Sequence, residues 1–216
     1  MEHFKNFLKA FRPAVMMTVV LMLICGLGYP LLMNGISNVI FPEQAQGSLV
    51  TEDGKAIGAK YVGQEFTADY FMKGRPSAVH YNTYTVRQDG TEQYSDGSAF
   101  TGPASGSANY GPSNPALTQR VEQDMEAFLE KNPEIKREDI PADLMTASGS
   151  GLDPDISPES AAIQLPAISE ASGLSMETLE QIVQDNTTGK LLGVFGEKIV
   201  NVLGVNMEIA EAMGLI

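Results

Sequence analysis

The chain offers few side chains able to do covalent chemistry. Its histidines are His3, beside the terminus, and His80, and its one cysteine is Cys25. A Ser/His/Asp or Cys/His relay would have to run through His80 alone, and one thiol makes neither an internal disulfide nor a thiolate zinc cage. His80 therefore reads as a surface or packing residue. The glycines from Gly97 to Gly111 suggest a phosphate cradle, but a phosphate loop ends in Lys-Ser/Thr and there is no Lys or Arg between Arg87 and Arg120. That stretch reads as a flexible or partner-contacting loop. Asp153, Asp155 and Glu159 place three carboxylates close together, yet the spacing of a calcium loop is missing and Pro154 stiffens the middle. Asp153 and Glu159 are expected as turn and helix-start acids, favourable near a helix N-terminus, and no metal site is expected. In Ser148-Gly149-Ser150-Gly151 the glycines imply a backbone fitted closely against something rather than a nucleophile, since no histidine is near.

Charge excludes a further class. With 14 Lys+Arg against 27 Asp+Glu, the formal charge is −13, the wrong sign for a protein that neutralises phosphate backbones. Helices expected at 158–172 and 176–186, joined by Ser172-Gly173-Leu174-Ser175, imitate a helix-turn-helix. The second carries Glu177, Glu180 and Asp185 and no Lys or Arg, so nucleic acid is rejected.

The charge is also segregated. No formal charge occurs between Arg12 and Glu43, and Pro13 to Met33 is almost wholly apolar. A helix needs about 20 such residues to cross the hydrocarbon core. Lys5, Lys9 and Arg12 precede this run, whereas the chain beyond Phe41 holds all but three of the basic residues and all but Glu2 of the acids, a net of −15. The positive-inside rule then assigns residues 1–12 to a cytoplasmic stub, 13–33 to a transmembrane helix and 34–216 to an extracytoplasmic domain. A cleavable secretory signal is the rival reading. It fits less well, because the apolar run is longer than the usual 7–15 residues and the small-residue site Gly26-Leu27-Gly28 lies inside it. Ala14, Thr18, Gly26 and Gly28 are small residues where another helix can pack, Pro30 is expected to kink or end the span, and Cys25 sits mid-span as a small apolar residue.

The outer domain reads as α+β, strands first and helices later. Hairpins are expected from Ser48–Thr51 and Ala56–Val62 around Glu52-Asp53-Gly54-Lys55, and from Thr83–Arg87 and Thr91–Ser95 around Gln88-Asp89-Gly90. Asn114-Pro115 opens a helix with Leu117, Val121, Met125, Phe128 and Leu129 on one face, and Asn132-Pro133 stops it. A second helix starts at Ser157-Pro158-Glu159 and runs toward Gly173, limited or kinked at Pro166. Ser175 caps a third with a Leu179, Ile182, Val183 stripe, and Ile199 to Met213 favours helix.

Several word-like stretches carry more information than these patterns. Arg12-Pro13-Ala14 with Met17-Thr18, Gly28-x-Pro30-Leu31, and Phe41-Pro42-x-Gln44-Ala45-x-Gly47-Ser48 are followed by Gly63-Gln64-x-Phe66 and Tyr70-Phe71-x-x-x-Arg75-Pro76-Ser77-Ala78. Then come Ser105-Gly106-Ser107-Ala108-Asn109-x-Gly111-Pro112-x-Asn114-Pro115-x-Leu117, the run Ala147 to Pro158, and Gly196-Glu197 with Val200-Asn201-Val202-Leu203. In this order they resemble the KdpC family of the Kdp-type potassium-transporting ATPase over nearly the whole chain. The resemblance implies a non-catalytic accessory subunit of an ATP-driven potassium importer in the cell (inner) membrane, single-pass with its N-terminus cytoplasmic. Its implied partners are a channel-like potassium-translocating subunit, a P-type ATPase subunit and membrane lipid. ATP and potassium are handled by the complex and no cofactor is bound independently.

The resemblance also implies that the protein raises the ATP affinity of the ATPase subunit through a loop matched by Ser105, Gly106, Ser107 and Asn109. The topology puts that loop outside, so the effect is expected as a coupling relayed through the complex rather than as contact with ATP. Partner contact is expected at Arg75, Pro76, Ser77, Gly111, Asn114, Pro115, Ser148, Gly149, Ser150, Asp153 and Pro154. Two departures from the family stand out: residues 81–104 form an insertion, and Ser107-Ala108 replaces a freer Gly-Ser. The alternative reading is a stand-alone anchored or secreted acidic binding protein.

Overall fold

The computed structural model describes residues 2–52 and 54–216, and the side chains among them apart from those of residues 3–8 and 10. Met1, the Lys5 side chain of the basic stub and the Asp53 turn position lie outside the described residues. The chain forms two units, Met1–Leu49 and Val50–Ile216.

The described residues of the first unit are helical from Glu2 to Ala45 except at Phe41. α1 (Glu2–Leu23) passes into a π-helical turn, Ile24–Gly28, and continues as α2 (Tyr29–Ile40), followed by the short α3 (Pro42–Ala45). Proline explains the π turn. Pro30 has no N–H to give Gly26, and its ring would strike that carbonyl. The ladder is wider just before it, with Tyr29 N–H reaching back five residues to Ile24 O. The proline thus widens the helix without ending it, and the helix runs on past Met33 to Ile40. Phe11–Ile40 is long and apolar enough to cross a membrane, and no residue of its apolar window is buried within the chain. Thirty residues rise roughly 45 Å, more than the hydrocarbon core requires. Within the helix, Thr18 Oγ1 donates to Ala14 O at 2.9 Å.

In the second unit, β1 (Leu49–Glu52) pairs with β2 (Lys55–Ala59), and β3 (Thr85–Val86) with β4 (Glu92–Gln93), giving both expected hairpins, with β1 shifted by one residue and the other three strands shorter. α4 (Pro115–Lys131) begins where Asn114 accepts from Ala116 N–H and ends at Asn132. Three-residue 3₁₀ turns follow at Arg137–Asp139 and Ala142–Leu144. β5 (Asp155–Ile156) leads to α5 (Pro158–Ala162) and α6 (Leu165–Ser172), a break before Pro166 that agrees with the limit expected there. α6 closes on Gly173 in the left-handed conformation, at φ 76°. α7 (Met176–Asp185) is capped by the Ser175 side chain. β6 (Thr187–Thr188), β7 (Ile199–Asn201) and α8 (Val202–Ala212) complete the chain.

β7 corrects the helix expected from Ile199. Ile199–Asn201 lies as the central strand of an antiparallel sheet ordered β5-β7-β6, and the helix begins only at Val202, where Asn201 Oδ1 accepts from Gly204 N–H. The core packs this sheet against α5 to α8. Ile156, Ala161, Leu165, Ile168, Leu179, Ile182, Val200, Val202, Val205 and Ile209 are buried together with Met72, which belongs to a loop far away in sequence.

Candidate functional site

Met72 is the start of the site. Its peptide is held by Asn206 on α8: Met72 N–H donates to Asn206 Oδ1 at 2.7 Å, and Asn206 Nδ2 donates to Met72 O at 2.9 Å. Gln164 treats the next peptide alike, accepting from Lys73 N–H at 2.9 Å and donating to Lys73 O at 3.2 Å. Two side-chain amides thus stand where a neighbouring strand's backbone would stand, which satisfies peptides that burial would otherwise leave unpaired. The Lys73 ammonium donates to Phe66 O and Ala68 O. Burial first, then the charge of Lys131, pushes it down to about 8.

The segment so anchored delivers Arg75, Pro76 and Ser77. Arg75 Nη1 meets Asp153 Oδ2 at 2.9 Å, both side chains about three-quarters buried at 26% and 28% exposure. Pro76 O accepts from Ser148 N–H at 3.3 Å. Ser77 Oγ donates to Gly151 O at 2.6 Å and accepts from Tyr81 N–H at 3.0 Å and Val79 N–H at 3.2 Å. On the other side of this knot, Gly106 N–H donates to Ser150 O at 2.7 Å, Ser105 Oγ donates to the same carbonyl at 3.1 Å, and Gly63 N–H donates to Leu152 O at 2.9 Å. Gly151 is closely fitted. It sits at φ +68°, and a Cβ there would lie 2.7 Å from both Gly106 O and Val79 Cγ2. Gly149, by contrast, faces open space.

A left-handed turn closes the knot. His80, Tyr81 and Asn82 have φ of 47°, 53° and 55°, three successive non-glycine residues in a region that side chains disfavour. Side-chain bonds hold them there. Tyr81 Oη donates to Arg75 O at 2.6 Å, and Asn82 pairs with the Ala104 peptide through Nδ2 to O and N–H to Oδ1, each at 2.9 Å. The Tyr81 hydroxyl is pushed up to about 12 by burial, then by the charge of Asp153. Asn82 therefore ties together the two ends of the 81–104 insertion. Inside the insertion, Tyr84 stacks on Phe100 at 4.3 Å, Tyr94 meets Phe100 edge-on at 5.4 Å, and His80 stacks on Tyr94 at 4.7 Å. The His80 ring lies between Glu65 and Asp96, with Nδ1 3.9 Å from Glu65 Oε1 and Nε2 3.5 Å from Asp96 Oδ2.

Of the residues expected at the site, Arg75, Pro76, Ser77, Ser105, Gly106, Ser148, Ser150, Asp153 and Pro154 come together here. Pro154 O accepts from Val202 N–H at 3.0 Å, tying the knot to the start of α8. Ser107 and Asn109 bond each other at 2.9 Å and Gly111 is exposed, while Asn114 and Pro115 are occupied in starting α4. Ala14, Thr18, Gly26 and Gly28 lie on the helical first unit.

Residue patterns gave no sign of Tyr81, Asn82, Gln164, Asn206 or Asp143. The last accepts from Ser157 N–H at 2.8 Å and Ser160 Oγ at 2.6 Å, fixing the turn before Ser148 to the start of α5. Burial raises the Asp143 carboxyl, but the bonds from Ser160 and Ser157 outweigh it and hold the group below its usual range. Among the described residues no group of three His, Cys, Asp or Glu is placed to hold a metal ion. Asp153 is committed to Arg75, and Asp155 Oδ1 accepts from Asn201 Nδ2 at 3.2 Å. The knot is a rigid polar platform whose groups bond one another, an arrangement suited to recognition.

The chain is similar to known proteins over most of its length. The family described as "KdpC: K+-transporting ATPase, c chain" matches residues 11–211. The Potassium-transporting ATPase KdpC subunit of Clostridium kluyveri is 58% identical over 210 residues, 97% of each chain. The protein of the same name from Clostridioides difficile is 52% identical over 97% of this chain and 100% of its own. That of Bacillus cereus is 40% identical over 93% and 95%.

Proposed function

The chain belongs to the KdpC family of K+-transporting ATPases, and from that premise we propose that it is a non-catalytic accessory subunit of an ATP-driven potassium import complex. Its knot of loops is the docking platform for the partner subunits. The observation that carries this reading is convergence: stretches around residues 63, 75–78, 105–106 and 148–154, scattered in sequence, meet through backbone and short side-chain bonds at one place. A protein that needs these loops only as connectors has no reason to lock three residues at positive φ beside them.

Docking places the second unit at the outer mouth of the potassium pathway, with the N-terminal helix spanning the cell membrane and the basic stub in the cytoplasm. Any rise in the ATP affinity of the P-type subunit then reaches it as a coupling free energy through the channel-like subunit, since binding of the platform and binding of ATP each favour the same state of the complex. The loop at Ser105, Gly106, Ser107 and Asn109 contributes shape and backbone groups to the interface and does not touch nucleotide.

Co-expression with the two large subunits tests the assignment. The expected result is a detergent-stable complex whose potassium-stimulated ATPase activity is lost when this chain is deleted. A chain that purifies alone, with that activity unaffected by its deletion, overturns the proposal. Cleavage of the 97–113 loop only from the cytoplasmic face of sealed vesicles overturns the topology and restores direct nucleotide contact.

A further inference from the structure

The hairpin connection between β6 and β7 is the least buried part of the second unit. From Thr188 to Ile199 every residue is exposed, yet the tip is apolar: Leu191, Leu192, Val194 and Phe195 are 70%, 83%, 74% and 63% exposed. Such a patch signals a partner, because a surface loop is ordinarily polar. We infer that this tip is a lipid-contact element that enters the interfacial layer of a membrane, a role beyond the docking platform proposed above and carried by a different segment.

Three observations choose lipid over protein. Four of the five N–H groups from residue 191 to 195 are bonded within the loop: Leu191 N–H donates to Phe195 O at 2.8 Å, Phe195 N–H to Leu191 O at 3.0 Å, Val194 N–H to Leu191 O at 3.2 Å and Gly193 N–H to Lys190 O at 3.0 Å. Each N–H bonded in this way no longer depends on water, which lowers the cost of moving the tip into the interfacial layer. The four side chains are flanked by Lys190 and Lys198, with Glu197 as the sole acid from 189 to 198, in a chain of net charge −13. Lysines beside an apolar tip lay their stems along it and reach headgroup phosphates, whereas Lys is depleted at the centre of protein interfaces. Finally, four side chains on one turn are far less than the roughly 800 Å² per partner that a stable protein interface buries.

The turn is built to project. Gly193 and Gly196 have φ of 74° and 79°, and Leu192 itself sits at φ 54°. Leu192 holds this disfavoured conformation without any burial of its side chain, so the strain gains nothing within the chain. Contact with a lipid surface supplies the missing return.

The absence of tryptophan from the chain makes the test clean. The full chain carrying Phe195→Trp is reconstituted into vesicles of phosphatidylcholine and phosphatidylglycerol with brominated acyl chains, and compared with Val86→Trp, placed on the exposed strand β3. Insertion into the interfacial layer predicts that the emission of the first is quenched roughly twofold and shifted to the blue while the second is unchanged. Both substitutions replace exposed side chains, so both proteins fold. Equal emission from the two sites in brominated lipid overturns the inference. So does a blue shift at position 195 that appears without quenching and only when the large subunits are present, the outcome a protein interface would give.

Discussion

The second unit holds itself together in two different ways. From residue 155 onward, helices α5 to α8 and the β5-β7-β6 sheet bury a continuous apolar cluster. Between residues 63 and 154 the loops of the knot contribute mainly Met72 to that cluster and otherwise rely on hydrogen bonds between backbone and short side chains. The first arrangement is favoured by area removed from water and tolerates changes of shape. The second depends on geometry, because each group it removes from solvent must find its one partner. The difference assigns roles: the apolar half sets stability, and the polar half sets the surface that a partner reads. Asn206 and Gln164 are the joints between them, since Asn206 projects from α8 and Gln164 from the turn between α5 and α6 to grip peptides 72 and 73.

The largest effect separates the halves most sharply. Ile209 is fully buried in the cluster, so Ile209→Ala is expected to lower stability by about 2–5 kcal/mol. The measurement is chemical denaturation of the full chain in detergent. A loss well below 1 kcal/mol contradicts a core centred on α8. Next comes the joint: Asn206→Leu keeps the number and branching of the side-chain heavy atoms but strands the Met72 N–H and C=O, at a cost of about 1–3 kcal/mol for each unpaired group. Partner binding should weaken more than stability alone explains, because Arg75 follows three residues later. If binding survives while the fold is weakened, the knot is positioned by something other than this joint.

These two halves were also unequally legible. Caps at Ser157 and Ser175 and the stop at Gly173 follow from groups within a few residues of one another, which is why the helices of the apolar half could be anticipated from spacing, as could α4 from its cap at Asn114 and its stop at Asn132. The sheet could not. Its strands are two or three residues long, too short for any alternation, so Ile199–Asn201 passed for the first turn of a helix. The joints were hidden by distance: Asn206 finds Met72 across 134 positions, and Gln164 finds Lys73 across 91. An asparagine within an apolar run reveals a satisfied polar group but not its partner. The left-handed turn at His80–Asn82 has no signature beyond asparagine's tolerance of that region. The knot was visible only as word-like stretches resembling a family, and such words name residues without telling which of them touch.

Within the polar half, Gly151→Ala tests geometry directly. At φ +68° a Cβ costs about 1–2 kcal/mol in the backbone, and it also meets the Gly106 carbonyl at 2.7 Å. The 105–106 and 150–151 segments must part, so co-purification with the partner subunits should fall steeply while the far-ultraviolet spectrum is retained. Gly149→Ala, facing open space, should leave assembly as it was. Equal behaviour of the two variants would remove close fit as the reason for glycine here.

Tyr81 gives the smallest and most specific effect. Its hydroxyl is buried and bonded to Arg75 O, and it ionises near 12 in the folded chain but near 10 when unfolded. Between those values the unfolded chain holds fewer protons, so stability is intact below about pH 10 and falls as pH rises toward 12. Tyr81→Phe removes the bond at a cost of about 1 kcal/mol near neutrality and flattens this part of the alkaline limb. A difference titration of tyrosinate absorbance against the parent chain isolates one of the seven tyrosines. If the group lost on substitution ionises near 10, Tyr81 is solvated and the knot is looser than its hydrogen bonds describe. If it ionises near 12 and the variant also assembles poorly, a bond buried beneath the platform controls a surface it never reaches, as expected of a half that works through geometry rather than area.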